Sequence, residues 1–581
     1  MTGKRFLNIL YENVPAKIDT RDMEDFSEVE DKVQRKYGLV VGAAYIQLWN
    51  LNDTPPTQLD DLKDIKALPD QYYKTPKEAG ALFLTVQLLP SFASRQTAQF
   101  HMFNNNLSPP ALSDFWNAFK ACTTPIVENN VIQLPNNIFI LGNQTLGSSI
   151  FIRHCYPKLL HDALSIIETH EYPHLVILGN PGIGKTYFGY VLLLELARSG
   201  ATVVYQSGKA ECRYLFCTEG VFKGRKDDYT AYLDISSTFY IVDATTPVDV
   251  AAKTILLSSP RRDVWYKFSN DHCTRRYMPV WSEEEIELCR AVLFSNLPQT
   301  EVKSLYDRWG GIPRYVLENA RNMIQQRDLD DAITAFDLDW LVKAIGNAEA
   351  SEAATHRLIH LHVASDFCTR HYLFASEYVA DQVYLQLYKM KREELLQFLS
   401  VSGGIGDIGV LRGVLFERHA HTVIANGGKF RIRELIRPKP KLEDSSKQVD
   451  LHAVKELELP RLEQLVFDND LEVQSANDSY YYRPRITNYE SVDSFEKPNL
   501  LFQMTCASKH PCKQAGIHKV LNLLGNPSNP SLYFVVPIDR FSDFKYQKFE
   551  DAQGKPMQEP TYADVKKVKQ FVLAIELTGS R

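Results

Sequence analysis

The chain is expected to fold as a multidomain α/β protein, and three observations predict it. Continuous apolar runs of strand length alternate with helical stretches through residues 151–345, the pattern of a parallel sheet buried on both faces. A glycine-rich segment, residues 179–186, joins one such run to a helix. The first 90 residues place short extended runs on either side of one helix, the order of a small α+β unit. A length of 581 residues agrees with about three or four domains at roughly 150 residues each.

In this N-terminal unit, residues 1–90, extended runs fall at 6–10, 16–19, 45–49 and 82–88. Between the second and third, Phe26, Val29, Val33 and Tyr37 recur at helical spacing, and Gly38 sits where that helix would stop. Strand–strand–helix–strand–strand is the order of a ubiquitin-like fold. Residues 91–150 are rich in Asn, Ser and Pro, and read as a linker with one short helix around Phe115 to Phe119.

Residues 151–345 form the parallel α/β domain. A strand at 175–178 enters the glycine-rich segment, and an apolar helix at 187–198 leaves it and ends before Gly200. Further buried strands are expected at 202–205, 238–242 and 254–257, with a helical lid beyond them. Residues 346–400 read as a helical connector. Residues 401–581 read as a last α/β domain, with a helix at 414–424, strands at 429–435, 500–506, 532–536 and 571–577, and a helix at 514–524.

The net charge of −6 argues against nonspecific coating of nucleic acid. Residues 412–441 carry eight Lys or Arg against two Glu, which leaves room for a local nucleic-acid surface or simply a solvated face. Nine cysteines without any C-x-x-C pair fit a reducing compartment. Cys368 and His371 have ligand-like spacing but no second pair, so they read as ordinary helix content. The N-terminal residues hold no apolar core of signal-peptide length, and no stretch approaches the ~20 apolar residues of a membrane span.

The segment Gly179-Asn180-Pro181-Gly182-Ile183-Gly184-Lys185-Thr186 matches G-x4-G-K-[ST] between a strand and a helix. Glycines let backbone amides approach phosphate oxygens, and the helix start adds partial positive charge. Lys185 brings an ammonium to the outer phosphates, and Thr186 a hydroxyl to Mg²⁺. A nucleoside triphosphate, ATP, with magnesium is the expected ligand. The run Phe239-Tyr240-Ile241-Val242-Asp243 ends in an acid suited to hold that metal. Ala244 follows where many such ATPases carry a glutamate, so hydrolysis is less secured than binding. Ser258 ends the next strand. Arg261 and Arg262 read either as arginine fingers or as surface charge, and Arg314, after Gly310-Gly311-Ile312-Pro313, either as a lid arginine or as a structural one.

The ordered set now resembles one family. The glycine-rich segment is followed by Phe239 to Asp243, Ser258-Ser259-Pro260, Tyr277-Met278-Pro279-Val280-Trp281-Ser282 and Gly310 to Arg314. Gly413-Val414-Leu415-Phe416-Glu417 with His421, then Phe502-Gln503-Met504-Thr505 with His510, close the series. The chain resembles the Crinkler effectors of fungi and oomycetes, which are related to trypanosome retrotransposon hot spot proteins. That resemblance implies an NTPase coupled to a C-terminal domain like the restriction endonucleases. It also implies secretion, here without a recognisable signal peptide, and action in the host nucleus on DNA or host proteins. The N-terminal unit lacks the oomycete translocation motif.

Nucleases of that kind hold Mg²⁺ with acids from a helix, a turn and a strand. Here Glu417 and His421 lie one helical turn apart, Asp493 precedes a strand, and Gln503 and Thr505 share one face of the next strand. The usual acid and lysine are replaced by Gln503 and Thr505; Lys509 or His510, just beyond, supplies a base or positive charge. One metal is expected on Glu417 and Asp493 with the Gln503 amide oxygen. Two rival readings stay open: a nucleotide-switched DNA- or protein-binding chain without nuclease chemistry, and a signalling NTPase that assembles homo-oligomers.

Overall fold

The computed structural model describes five strands within residues 6–88, and residues 109–577 apart from short stretches at 170–172, 261, 271, 339–340, 342–354, 401–405, 438–452, 486–488 and 511. The chain divides into two compact units, residues 1–109 and 110–581.

In the first unit, β1 (Phe6–Tyr11) and β2 (Val14–Asp19) form a hairpin, and β3 (Ile46–Asn50), β4 (Thr57–Leu59) and β5 (Leu84–Leu88) complete a sheet of order β2-β1-β5-β3-β4. β1 and β5 run parallel, and every other pair is antiparallel. The expected helix over Phe26 to Tyr37 lies outside the described residues.

The second unit begins earlier than composition suggested. Residues 110–150 are not a linker. Helix α1 (Pro110–Ala121) buries Leu112, Phe115, Trp116 and Phe119, an i, i+3, i+4, i+7 stripe set among polar residues. Trp116 packs on Phe216 at 4.5 Å between ring centroids. A short ladder of β6 (Val131–Gln133) and β7 (Ser149–Phe151) follows.

The central sheet holds seven strands in the order β11-β10-β9-β12-β13-β8-β14. Here β8 is His174–Leu178, β9 Val203–Ser207, β10 Cys212–Cys217, β11 Gly220–Arg225, β12 Phe239–Asp243, β13 Lys253–Ser258 and β14 Cys273–Tyr277. From β9 to β14 neighbours are parallel; β10 and β11 extend the edge antiparallel. β13 separates β8 from β12, so the C-terminal ends of all three open on one edge of the sheet. Helix α3 (Lys185–Arg198), which follows α2 (Tyr156–Ile167) and β8, is apolar on all sides. It buries Phe188, Val191, Leu192, Leu193 and Leu194, as a helix enclosed by a core must. Truncating any of those leucines to Ala costs about 2–5 kcal/mol.

Helices α4 (Glu283–Leu293), α5 (Gln299–Trp309) and α6 (Met323–Thr334), with a π-helical turn at Arg314–Glu318, follow this sheet in the chain. The helical connector needs correction. A β-hairpin, β15 (Ile359–Val363) and β16 (Arg370–Phe374), precedes α7 (Glu377–Met390) and α8 (Arg392–Ser400). Ile359, Leu361 and Val363 alternate with two histidines at period two, a strand signal flanked by helices. Cys368 and His371 therefore lie on a hairpin and not on a helix.

The last sheet has eight strands, ordered β18-β17-β26-β24-β22-β21-β20-β19. The strands are β17 (Gly428–Glu434), β18 (Lys455–Leu459), β19 (Glu463–Phe467), β20 (Tyr480–Pro484), β21 (Ser494–Glu496), β22 (Leu500–Met504), β24 (Ser531–Pro537) and β26 (Lys569–Ile575). Helix α9 (Gly406–Ala425) lies before the sheet; β20, β21 and β22 run antiparallel; α10 (Gln514–Leu523) then leads to β24, parallel to β22. β23 (Cys512–Lys513) and β25 (Phe549–Glu550) pair outside it. Part of the basic run at 412–441 is internal: Arg412, Arg418 and Arg433 are buried, while Lys429 and Arg431 are exposed. Arg418 pairs with Glu377 and Asp381, Arg412 with the Leu399 carbonyl, and Arg433 with those of Phe541 and Phe544.

Candidate nucleotide and metal sites

The glycine-rich loop leaves β8 and enters α3. Gly182 and Gly184 have φ of 82° and 99°, a left-handed backbone that L side chains rarely adopt. A Cβ on Gly182 would stand 2.8 Å from the Arg314 Cβ, so the loop accepts Arg314 only because that position is glycine. Arg314 itself is exposed, at the start of the π-helical turn.

The loop's carbonyls are satisfied by side chains of the protein. Lys185 Nζ donates to Gly179 O at 2.8 Å and to Asn180 O at 2.7 Å. Trp281 Nε1 donates to Ile183 O at 2.8 Å, and the Tyr156 hydroxyl to Gly184 O at 2.8 Å. The amides of Lys185 and Thr186 open α3 and have no partner within the helix. Burial lowers the Lys185 pKa to about 7; Asp243 pulls it up and Arg314 pulls it down. The Thr186 hydroxyl donates to Asp243 Oδ2 at 2.9 Å, and the Tyr205 hydroxyl lies 3.5 Å from the same oxygen. Burial raises the Asp243 pKa against the Thr186 hydrogen bond and the Lys185 charge. Lys185, Thr186, Asp243 and Arg314 thus converge on one loop. Arg261 lies outside the described residues. Arg262 stacks its guanidinium 3.8 Å above the Tyr266 ring.

Sequence reasoning missed a buried residue that reaches this loop: Arg153 donates to Ile183 O at 3.4 Å. Arg153 is fully buried, donates to Pro279 O at 2.9 Å and Val280 O at 3.0 Å, and forks onto Glu285 at 3.2 and 3.1 Å. Burial alone would raise the Glu285 pKa, but hydrogen bonds from His154 and Arg153 hold it down at about 2. The legible part of this signal was the capping box Ser282-x-x-Glu285, whose reciprocal bonds are both present. An aromatic-lined pocket opens beside Gly182 and Gly184, walled by Phe151, Tyr187, Trp281, Pro313 and Leu317.

The C-terminal domain brings together a second set. Asp493 Oδ2 accepts from Gln503 Nε2 at 2.6 Å and from the Met504 amide at 2.7 Å. Its carboxyl is deeply set, though the residue as a whole is half-buried. Burial and the neighbouring Glu417 charge raise its pKa to about 8, against the Met504 and Gln503 bonds. Glu417 goes the other way: burial would raise its pKa, but His421, Arg418 and Arg483 outweigh it. His421 Nε2 lies 3.9 Å from Glu417 Oε1, while its Nδ1 meets the Tyr481 hydroxyl at 2.7 Å, which meets Ser494 Oγ at 2.6 Å. Tyr481 and Ser494 were invisible to motif reading because sheet order alone brings them to α9.

Glu417, Asp493 and Gln503 therefore meet, and His510 is near enough for Glu417 to act on its titration. Lys509 is exposed and does not join them. Thr505 Oγ1 accepts from the Ala507 amide at 3.0 Å, so its hydroxyl closes a turn. Among the described residues no group of three or more His, Cys, Asp or Glu is arranged to hold a metal. The fit to a cation rests on two acids and one further oxygen: Gln503 Oε1 is buried without a hydrogen-bond partner.

No family model matches the chain. It is 25% identical over 416 residues to Crinkler effector protein 15 of Phytophthora infestans, covering 68% of this chain and 64% of the relative. This similarity supports the Crinkler family. Crinkler effector protein 16 of the same organism is 24% identical over 416 residues, covering 68% and 63%. The chain thus spans a little under two thirds of the length of these relatives. Solved structures with some likeness include the Thermotoga maritima RuvB Holliday junction branch migration motor (14% identity, 34% of this chain and 71% of that one, TM-score 0.21). AMPPCP-bound DnaA from Aquifex aeolicus gives 13% identity, 45% and 83% coverage and a TM-score of 0.21. Hsp104 with ATPγS and casein gives 11%, 72% and 70%, and 0.23. TM-scores this low add nothing to the fold read from the strand order.

Proposed function

We propose that this chain is a Crinkler-like effector whose glycine-rich loop binds ATP with Mg²⁺, and whose nucleotide state governs a C-terminal domain that acts on DNA. The observation that carries the reading is the loop itself. Its carbonyls accept from Lys185, Trp281 and Tyr156, while the amides of Lys185 and Thr186 that open α3 have no partner within the helix. On binding, the Lys185 ammonium exchanges two loop carbonyls for phosphate oxygens, and the Arg314 guanidinium meets the phosphates from the lid side. The Thr186 hydroxyl and the Asp243 carboxylate, now bonded to each other, are the pair that would hold the metal, directly and through water. Bound Mg²⁺ supplies charge neutralisation between the outer phosphates. The pocket between Trp281, Tyr187 and Pro313 takes the base. With Ala244 after Asp243, hydrolysis is slow relative to binding.

In the last domain, the helix, three antiparallel strands, helix and parallel strand from α9 to β24 support a restriction-endonuclease-like reading. Glu417, Asp493 and Gln503 Oε1 would hold one divalent cation, and His510 stands nearby as a base. The domain scheme is a ubiquitin-like N-terminal domain at 1–90, an NTPase domain up to residue 345, a connector to 400 and this last domain. The ubiquitin-like reading is favoured by the order β2-β1-β5-β3-β4 with β1 parallel to β5. Secretion, action in the host nucleus, kinship to the retrotransposon hot spot proteins and assembly into homo-oligomers belong to the same proposal. A second reading, binding without cutting, is favoured by Gln503 in the place of an acid and by the Thr505 hydroxyl already engaged.

Titrating the full chain with a fluorescent ATP analogue, with and without Mg²⁺, tests the nucleotide half; no saturable binding ends it. Incubation with plasmid, Mg²⁺ and ATP tests the other half. Nicked or linear product supports the nuclease, and intact plasmid at high protein concentration supports the second reading.

A further inference from the structure

Loop 505–510 leaves β22 directly beyond Gln503, and a second loop, 542–548, runs alongside it. A buried polar knot joins them. Gln547 is 6% exposed; its Oε1 accepts from the His510 amide at 2.8 Å, and its Nε2 donates to Lys545 O at 2.7 Å and Ser508 O at 3.4 Å. Gln570, 2% exposed, grips the Gln547 backbone from both sides, accepting from its amide and donating to its carbonyl, each at 2.9 Å. β23 and β25 then pair Cys512 with Phe549 and Lys513 with Glu550. Burying two amide side chains costs free energy unless every group is met, and here they are met by the two loops.

The knot has a consequence for charge. Lys509, Lys513, Lys545 and Lys548 flank its bonded positions, and all four are exposed. Among the described residues none of the four makes an ion pair with a carboxylate. The acids on the same loops are Asp543 and Glu550. Asp543 faces the buried Arg433 guanidinium. Glu550 sits opposite Lys513 and offsets part of its charge. A solvated face needs no such knot; a surface that must present ammonium groups at fixed spacing does. The rim lies beside the acids, since loop 505–510 follows directly on β22, whose Gln503 donates to Asp493 Oδ2 at 2.6 Å.

We infer that Lys509, Lys513, Lys545 and Lys548 form a phosphate-contact rim that seats the backbone of duplex DNA across the Glu417–Asp493 site. This rests on the DNA reading above, but concerns binding and not cleavage. Each phosphate neutralised releases condensed counterions, so the rim has a signature in salt: about 0.9 in the slope of log K against log salt per contact.

The test measures binding of the full chain to a short duplex DNA by fluorescence anisotropy over a series of salt concentrations, with EDTA present. Replacing all four lysines by Ala should lower the slope by about 3–4 and weaken binding on the order of a hundredfold. Four Lys→Arg replacements should keep the slope. Unchanged affinity for the ATP analogue certifies that the Ala variant is folded. An unaltered slope in the Ala variant overturns the rim, as does polyglutamate competing as well as DNA, which would mark a protein-binding surface. Lysine-dependent binding without any plasmid cleavage leaves the rim standing and removes the nuclease. Cleavage with no lysine dependence removes the rim alone.

Discussion

Asn180 holds Leu361 through both ends of its amide: Nδ2 donates to Leu361 O and Oδ1 accepts from the Leu361 amide, each at 3.0 Å. The side chain offers one donor and one acceptor, as a neighbouring strand would, and is 1% exposed. The glycine-rich loop is thereby stapled to β15, and its hairpin partner β16 packs against α9, the helix carrying Glu417 and His421. The loop and the second site are thus joined by a short covalent and hydrogen-bonded route.

Replacing Asn180 with Ala leaves a buried amide and a buried carbonyl of Leu361 unmet. Each such group costs about 1–3 kcal/mol. The Asn180→Ala variant should lose about 2–4 kcal/mol of stability in a urea melt. A loss below half a kcal/mol would mean that water or a neighbour replaces the amide. If the staple transmits nucleotide state, the variant's DNA affinity should also stop responding to ATP.

Lys185→Ala should abolish nucleotide binding and leave the fold intact. The ammonium is buried and its pKa is depressed, so in the folded protein its charge is a cost and not a support. The sign follows: that cost is fully present below pH about 7 and disappears as pH rises toward the ordinary lysine value near 10.5. The variant's unfolding midpoint should therefore equal or exceed that of the wild type at pH 6. Retained affinity in a titration would remove Lys185 from the site.

The same shift predicts proton uptake. With the Lys185 pKa at about 7, a large share of the free protein carries a neutral amine at pH 8. A triphosphate favours the ammonium, so binding at pH 8 should draw in up to one proton. Calorimetry in buffers of different ionisation heat reads this directly. Buffer-independent heats at pH 8 would show that the lysine is charged before the nucleotide arrives.

Arg153 and Glu285 make the clearest stability prediction. Arg153→Met takes the guanidinium from the buried Glu285 carboxylate and leaves it on His154 and the Ser282 cap, and should cost about 3–5 kcal/mol. The double replacement Arg153→Met with Glu285→Leu should be milder than the single one, because no charge is stranded. Chemical denaturation of both variants decides it; equal losses would mean that the guanidinium's bonds to Pro279 and Val280 matter more than the ion pair.

How much of this was legible in the sequence depended on how local each device is. The glycine-rich loop was legible because its chemistry is written in eight contiguous residues between a strand and a helix. Asp243 followed because a continuous apolar strand ended on an acid. The hairpin at 359–374 was hidden because its alternation is short and its neighbours are helices. The helix around Phe115 to Phe119 was legible from its apolar stripe, but the rest of 91–150 passed for a linker because Asn, Ser and Pro dilute its apolar residues. The basic run at 412–441 misled for a different reason: composition counts charges but not their partners, and three of those arginines are inside. Arg153 with Glu285, and Tyr481 with His421, depend on elements far apart in the chain that only sheet order brings together.

Asp493 gives a last prediction, on pH. Its carboxyl titrates near 8, raised by burial and by the Glu417 charge, so the folded protein holds a proton there that the unfolded chain has released above about pH 4. The group's contribution is complete below the ordinary aspartate value and is lost as pH rises through about 8. Stability should therefore fall between pH 5 and 8 with a slope of up to about 1.4 kcal/mol per pH unit from this group. Asp493→Asn keeps the shape without the titrating proton, so its stability profile should lack that slope. Parallel profiles for variant and wild type across this window would mean that Asp493 is ionised in the folded protein. The neutral carboxyl also lets Asp493 and Glu417 stand close together, one acid protonated and the other held charged by His421 and the two arginines.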